Sequence, residues 1–331
     1  MPDNPLARRS ITVTAVVALF VALTILSPLL VLFAAIHDLT RRLTRRRPAM
    51  ALRLAAFLWV YLLGEVWAVT ALAVTAPLPP GVKMDATFRL QDKWAGWNLA
   101  ALRRLFSVEF RVDGQECLLP GPIVVLSRHA SIVDTLLPAR FVARAAGLRL
   151  RYVLKKELLA DPALDIAGNR LRNAFIDRAS RDVSERNAIE ALAADLGLDD
   201  GIVIYPEGTR FTAAKLDRSK SRAARDSGPR ASAALGFRRV LPPKPGGTLT
   251  ILETTRADVV VLAHTGLEGL ATIKEIWRGD LVGSRVAIGL WRVPHEEIPS
   301  PRSDRIDWLY RLWAEVDEWV GSATSSTRAH R

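Results

Sequence analysis

Residues 122–134 read P-I-V-V-L-S-R-H-A-S-I-V-D. The apolar run 123–126 follows the breaker Gly121-Pro122, and such a run suits a strand buried on both faces. It gives way to Ser127-Arg128-His129, after which apolar residues recur with helical spacing over 132–143. The pattern predicts a strand-to-helix junction carrying His129, with Asp134 in the first turns of the helix. In open α/β sheets ligands bind in the crevice outside the carboxyl ends of the strands. A histidine there, with a carboxylate close enough to orient its ring, is the smallest general base. The plainer alternative is a junction histidine hydrogen-bonded to its helix cap. These thirteen residues leave both open.

The rest of the chain narrows the choice. Its 331 residues fit one large domain or two ordinary ones. Half are hydrophobic and the mean hydropathy is +0.14, which is greasy for a soluble enzyme. The net charge is +12 and the pI near 10.5. Grease and positive charge together point to an anionic membrane surface or phosphate-bearing substrates, ahead of nucleic acid. A nucleic-acid binder has no need of the long apolar segments, so nucleic acid is not an expected partner. One cysteine, Cys117, excludes an internal disulfide and a cysteine-based metal cluster.

Residues 11–36 contain no charged residue, and as a helix they exceed the ~30 Å hydrocarbon core. That predicts an uncleaved membrane helix kinked at Pro28. Arg8-Arg9 resembles the opening of a twin-arginine signal, but the length of the apolar stretch argues against cleavage. Residues 54–76 form a second span, interrupted by Glu65, which is expected to be protonated and bonded to a neighbouring helix. Arg41, Arg42, Arg45, Arg46 and Arg47 connect the spans, while Arg8, Arg9, Lys83, Arg89 and Lys93 flank their other ends. Five basic residues on each side leave the orientation open.

The breaker-rich linker 77–81 divides an N-terminal membrane hairpin, 1–76, from a catalytic domain, 77–320, with a disordered tail at 321–331. Residues 90–106 read as an amphipathic helix, and 108–112 and 116–119 as a hairpin turning at Asp113-Gly114. Strand and helix patterns then alternate: strands at 148–154, 173–177, 201–205, 259–264 and 286–290, and helices at 155–171, 183–196 and 303–320. The alternation predicts an α/β fold, a mainly parallel sheet flanked by helices.

Polar clusters end three of these strands: Ser127-Arg128-His129, Asp177-Arg178, and Pro206-Glu207-Gly208-Thr209-Arg210. Parallel strands bring such ends to one edge, where guanidinium forks suit a phosphate and Gly208 lets backbone approach a ligand. Arg178 could equally pair with Asp177. Glu207 and Arg210 are expected to pair and shape their loop, with Arg210 also facing the ligand. The basic segment 210–230 is expected to be a solvated loop, or a surface for anionic headgroups or the phosphates of coenzyme A. His264 ends a strand alone and reads as structural.

In this order the clusters resemble those of the glycerolipid acyltransferase family. The blocks are H-A-S-I-V-D at 129–134, F-I-D-R at 175–178, Y-P-E-G-T-R at 205–210 and V-L-P-P at 240–243, and the likeness covers about 108–290. F-T after the third block resembles the branch that includes lysocardiolipin acyltransferases. Arg128 stands where asparagine is common, and Pro242-Pro243-Lys244 replaces the branch's Pro-Arg; both bear on acceptor specificity.

The resemblance implies a membrane-bound O-acyltransferase with no bound cofactor or metal, using acyl-CoA or acyl-ACP as donor substrate. His129 would be the base and Asp134 its partner. Arg178, Glu207, Gly208, Thr209 and Arg210 would bind a lysophospholipid acceptor, first of all 1-acyl-sn-glycerol-3-phosphate. Another lysophospholipid, glycerol-3-phosphate, a glycolipid or an aminolipid are alternative acceptors. The donor implies the cytoplasmic face of an inner or plasma membrane. A non-enzymatic anchor for anionic lipid would also explain charge and spans, but leaves the His–Asp pair and the ordered clusters without a role.

Overall fold

The computed structural model describes residues 2, 4–45, 48–176, 183–270 and 272–329. Two compact units emerge. The first comprises Met1–Val108, Leu154–Arg181 and Trp277–Ser284, the second Glu109–Val153, Asp182–Ile276 and Arg285–Arg331.

The first unit is helical. Helix α1 (Pro5–Ile25) and helix α3 (Ala51–Val74) are long and apolar enough to cross a membrane, and they pack on each other as a hairpin. The expected span 11–36 is not one helix. Helix α1 stops at Ile25, and α2 (Ser27–Arg45) begins with Pro28 in its first turn, where a missing N–H costs nothing. Leu29, Val31, Leu32, Phe33 and Ile36 of α2 remain exposed. Asp38 of α2 accepts the backbone N–H groups of Met50, Ala51 and Leu52 and so caps α3. Glu65 is fully buried and accepts the Trp94 indole N–H at 2.9 Å, a bond to the next helix as expected. Trp94 lies on α4 (Pro80–Phe106), which starts within the expected linker and packs with α3. Arg8 and Arg9 both bind Asp165, at 2.8 and 3.2 Å, in the helix Pro162–Arg170. That double pairing gives the twin arginines a structural use. The short strand β4 (Ala174–Ile176) belongs to this unit too.

The second unit is the sheet. Its strands are β1 (Glu109–Asp113), β2 (Ile123–Ser127), β3 (Arg149–Lys155), β5 (Asp200–Ile204), β6 (Asp258–Thr265) and β7 (Arg285–Val293). They lie in the order β1-β7-β6-β2-β5-β3, parallel except for the antiparallel pair β6–β7. Strand β2 sits centrally, and all five of its residues are buried, as a continuous apolar run requires. The helices Val183–Ala193 and Pro245–Thr254 pack together, and the helix Arg302–Ala329 packs on β6 and β7.

Three expectations fail here. Strand β1 is not part of a hairpin: it pairs in parallel with β7, and Gln115–Cys117 is a single turn of 3-10 helix. The segment 210–230 is not a loop, since Thr212 caps the helix Ala213–Ala223 by accepting the Lys215 N–H. The tail is not disordered over 321–329, because the final helix runs to Ala329. Gly321 in it presses on the Arg239 guanidinium, and the Thr324 hydroxyl bonds that of Thr265 at 3.0 Å.

Candidate active site

Strands β2 and β5 are parallel neighbours, with Leu126 opposite Ile204. Register therefore brings the two segments that follow them, 128–134 and 205–210, to one edge. His129 Nδ1 lies 3.1 Å from Asp134 Oδ1. The imidazole side chain is 15% exposed and the carboxylate fully buried, so only the ring can be reached from outside. Asp134 Oδ2 accepts the N–H groups of Ala130 and Ser131 at 2.6 and 2.7 Å. Burial would push this carboxyl up, but bonds from His129 and His264 hold it well below the usual range. An ionised carboxylate only accepts, so His129 Nδ1 carries the proton and Nε2 keeps its lone pair. The Tyr205 ring, 4.7 Å from the imidazole, packs against it.

Glu207 is fully buried and does not pair with Arg210. One of its oxygens accepts the His129 backbone N–H and the other that of Leu241, each at 2.9 Å. The expected ion pair is thereby replaced by a brace that ties the His129 segment to the V-L-P-P block. Both oxygens are spent on backbone, which leaves Glu207 none for a substrate. Burial raises its pKa to about 7, against the nearby Arg128 guanidinium and the two N–H groups. Gly208 adopts φ +67°, and a side chain there would come within 3.0 Å of Lys244. Lys215 Nζ donates to Thr209 Oγ1 and to the Arg210 carbonyl, at 2.9 and 2.8 Å. The half-buried Arg210 guanidinium forms no hydrogen bond or ion pair among the described residues. Arg178 lies outside the described residues.

Arg128 is 1% exposed, which removes it from substrate contact. Its guanidinium donates to the carbonyls of His264 and Arg239 and to Glu268, at 2.6, 2.8 and 2.6 Å. No group of His, Cys, Asp and Glu able to hold a metal occurs among the described residues.

Residues 109–263 match the family model described as Acyltransferase. A 1-acyl-sn-glycerol-3-phosphate acyltransferase of Pseudomonas aeruginosa is 25% identical over 154 residues, 46% of this chain and 56% of that protein. The chain thus spans little more than half of that relative. The crystal structure of the LPA acyltransferase PlsC from Thermotoga maritima shares the fold at a TM-score of 0.55 and 18% identity, covering 82% of this chain and 96% of that one. Over residues 109–263 the chain is thus similar to the glycerolipid acyltransferases. The matched residues run from β1 into β6 and so include the whole His129–Arg210 constellation. Sequence reading missed two members of the candidate site, Arg128 as a buried clasp and His264 as a neighbour of Asp134. The available signal was position: His264 follows the fully apolar V-V-V-L-A of β6, the strand beside β2.

Proposed function

We propose that this acyltransferase moves a fatty acyl group from acyl-CoA or acyl-ACP to the free hydroxyl of 1-acyl-sn-glycerol-3-phosphate, with His129 as general base. The main support is a reachable imidazole whose Nδ1 is held by a buried carboxylate, 3.1 Å away, leaving Nε2 free to take a proton. As the acceptor oxygen attacks the thioester carbonyl, its proton passes to His129 Nε2. Asp134 stabilises the imidazolium that results. Collapse of the adduct breaks the C–S bond, and the thiolate leaves with the proton from Nε2. No covalent enzyme intermediate is required, and the acyl group goes directly from sulfur to oxygen.

Arg210, whose guanidinium has no hydrogen-bond or ion-pair partner among the described residues, binds the acceptor phosphate, and Thr209 and Gly208 shape the loop that presents it. Arg178 contributes to the same subsite, by resemblance to the family's second block. Glu207 acts on the acceptor only indirectly, by fixing His129. Helices α1 and α3 anchor the enzyme in the membrane, with the catalytic unit on the cytoplasmic side where the thioester donors are made. In isolated membranes, His129→Ala lowers transfer of labelled acyl chains into phosphatidic acid by at least ~100-fold, while the protein still accumulates. Transfer at the wild-type rate would reject the assignment.

A further inference from the structure

His264 sits behind the pair that performs the proposed chemistry. Its Nε2 faces the Arg128 carbonyl oxygen at 3.1 Å and Asp134 Oδ2 at 3.5 Å. Both are acceptors, so Nε2 carries the hydrogen and shares it between them. The contact is returned: Arg128 Nη1 donates to the His264 carbonyl at 2.6 Å. Residue 128, immediately before the base, is thus clasped to residue 264 in both directions. His264 is fully buried, and its Nδ1 has no partner among the described residues. A histidine buried in the core with Nε2 aimed between two acceptors is fixed in orientation by them, which makes that nitrogen the one that acts on its neighbours.

We propose that His264 is a positioning residue for acyl transfer, setting the orientation and proton affinity of the His129–Asp134 pair through its Nε2–H. This rests on the function proposed above. Asp134 receives N–H groups from His129 on one side and from Ala130, Ser131 and His264 on the other. The charged groups around the His264 imidazole are Asp134, Arg128 and the Glu268 that Arg128 binds. Those facing His129 are Asp134 and Glu207, with the Tyr205 ring packed on it. Removing the His264 donor leaves the Asp134 charge less dispersed, so it draws the proton on the His129 ring more strongly. The base is then blocked by protonation up to a higher pH.

The test compares His264→Phe, which keeps the ring's bulk, and His264→Gln, which restores an N–H donor, in the full-length membrane enzyme. The Phe variant lowers kcat about tenfold, leaves both KM values within about twofold, and moves the acid limb of the kcat/KM profile to higher pH. The Gln variant recovers part of the rate and returns the limb toward the wild-type position. In the wild type, the imidazole nitrogen spectrum of His129 reports an Nδ1–H tautomer, and in His264→Phe its titration shifts up. That reading needs no turnover. An unmoved titration and acid limb in both variants would overturn the role of His264. A His129→Ala enzyme that stayed active would instead overturn the function itself, and the two failures are therefore distinct.

Discussion

Glu207 sets the terms of pH dependence at the scale of a single residue. Its carboxyl titrates near 7 in the folded chain and near 4.5 as an ordinary glutamate, so between those values the folded state holds the extra proton. Stability contributed by protonated Glu207 is complete below about pH 4.5 and lost as the pH rises through about 7, on the order of 3 kcal/mol in total. Asp134 acts in the opposite sense. Its pKa is lowered, so its contribution is present above the ordinary aspartate range and is lost as the pH falls below it. Unfolding followed from pH 4.5 to 7.5 therefore shows a decline that flattens in Glu207→Gln; an equal slope in both proteins would contradict the account of this carboxyl. Arg210→Ala should raise the acceptor KM roughly ten- to hundredfold, the weight of a charged hydrogen bond, with kcat nearly unchanged. A fall in kcat alone would assign Arg210 to some other task.

Among the elements, the final helix bears most visibly on the site's support. Asp317 in it accepts the backbone N–H groups of Arg238, Arg239 and Val240 at 2.9, 2.5 and 2.9 Å, immediately before the Leu241 N–H that Glu207 takes. Asp317→Ala strands those donors and should cost about 2 kcal/mol or more, read as a lower denaturation midpoint; no change would mean that the 238–241 turn holds without the helix. This helix was legible only as far as Val320, because Gly321 looks like a stop until its packing on Arg239 is visible. The helix Ala213–Ala223 escaped notice for a related reason. It buries only Leu216 and Ala223, too few apolar positions to print a period on a charged segment. Strand β1 misled because local turn residues suggest a hairpin, whereas its partner β7 lies more than 170 residues away in sequence, at Arg285 opposite Glu109. By contrast, β2 and β5 were plain, since strands buried on both faces write their own apolar runs.

On the scale of the whole molecule, a helical unit and a sheet-bearing unit divide the chain. Helices α1 and α3 should keep the protein with the membrane through alkaline carbonate washing, and release into the wash would contradict spanning. The candidate site was legible where its segments follow neighbouring parallel strands, as those of His129 and of Gly208 to Arg210 do. The use made of Glu207 and His264 was not, because a carboxylate that binds two distant N–H groups and an imidazole behind another leave no local signature. The central claim is that an imidazole at the end of β2 drives acyl transfer from a thioester to a phosphate-bearing acceptor. Thiol release from acyl-CoA, followed with and without 1-acyl-sn-glycerol-3-phosphate, tests it most directly. The account predicts release that needs the acceptor and vanishes in His129→Ala; release indifferent to the acceptor, or undiminished in that variant, would contradict it.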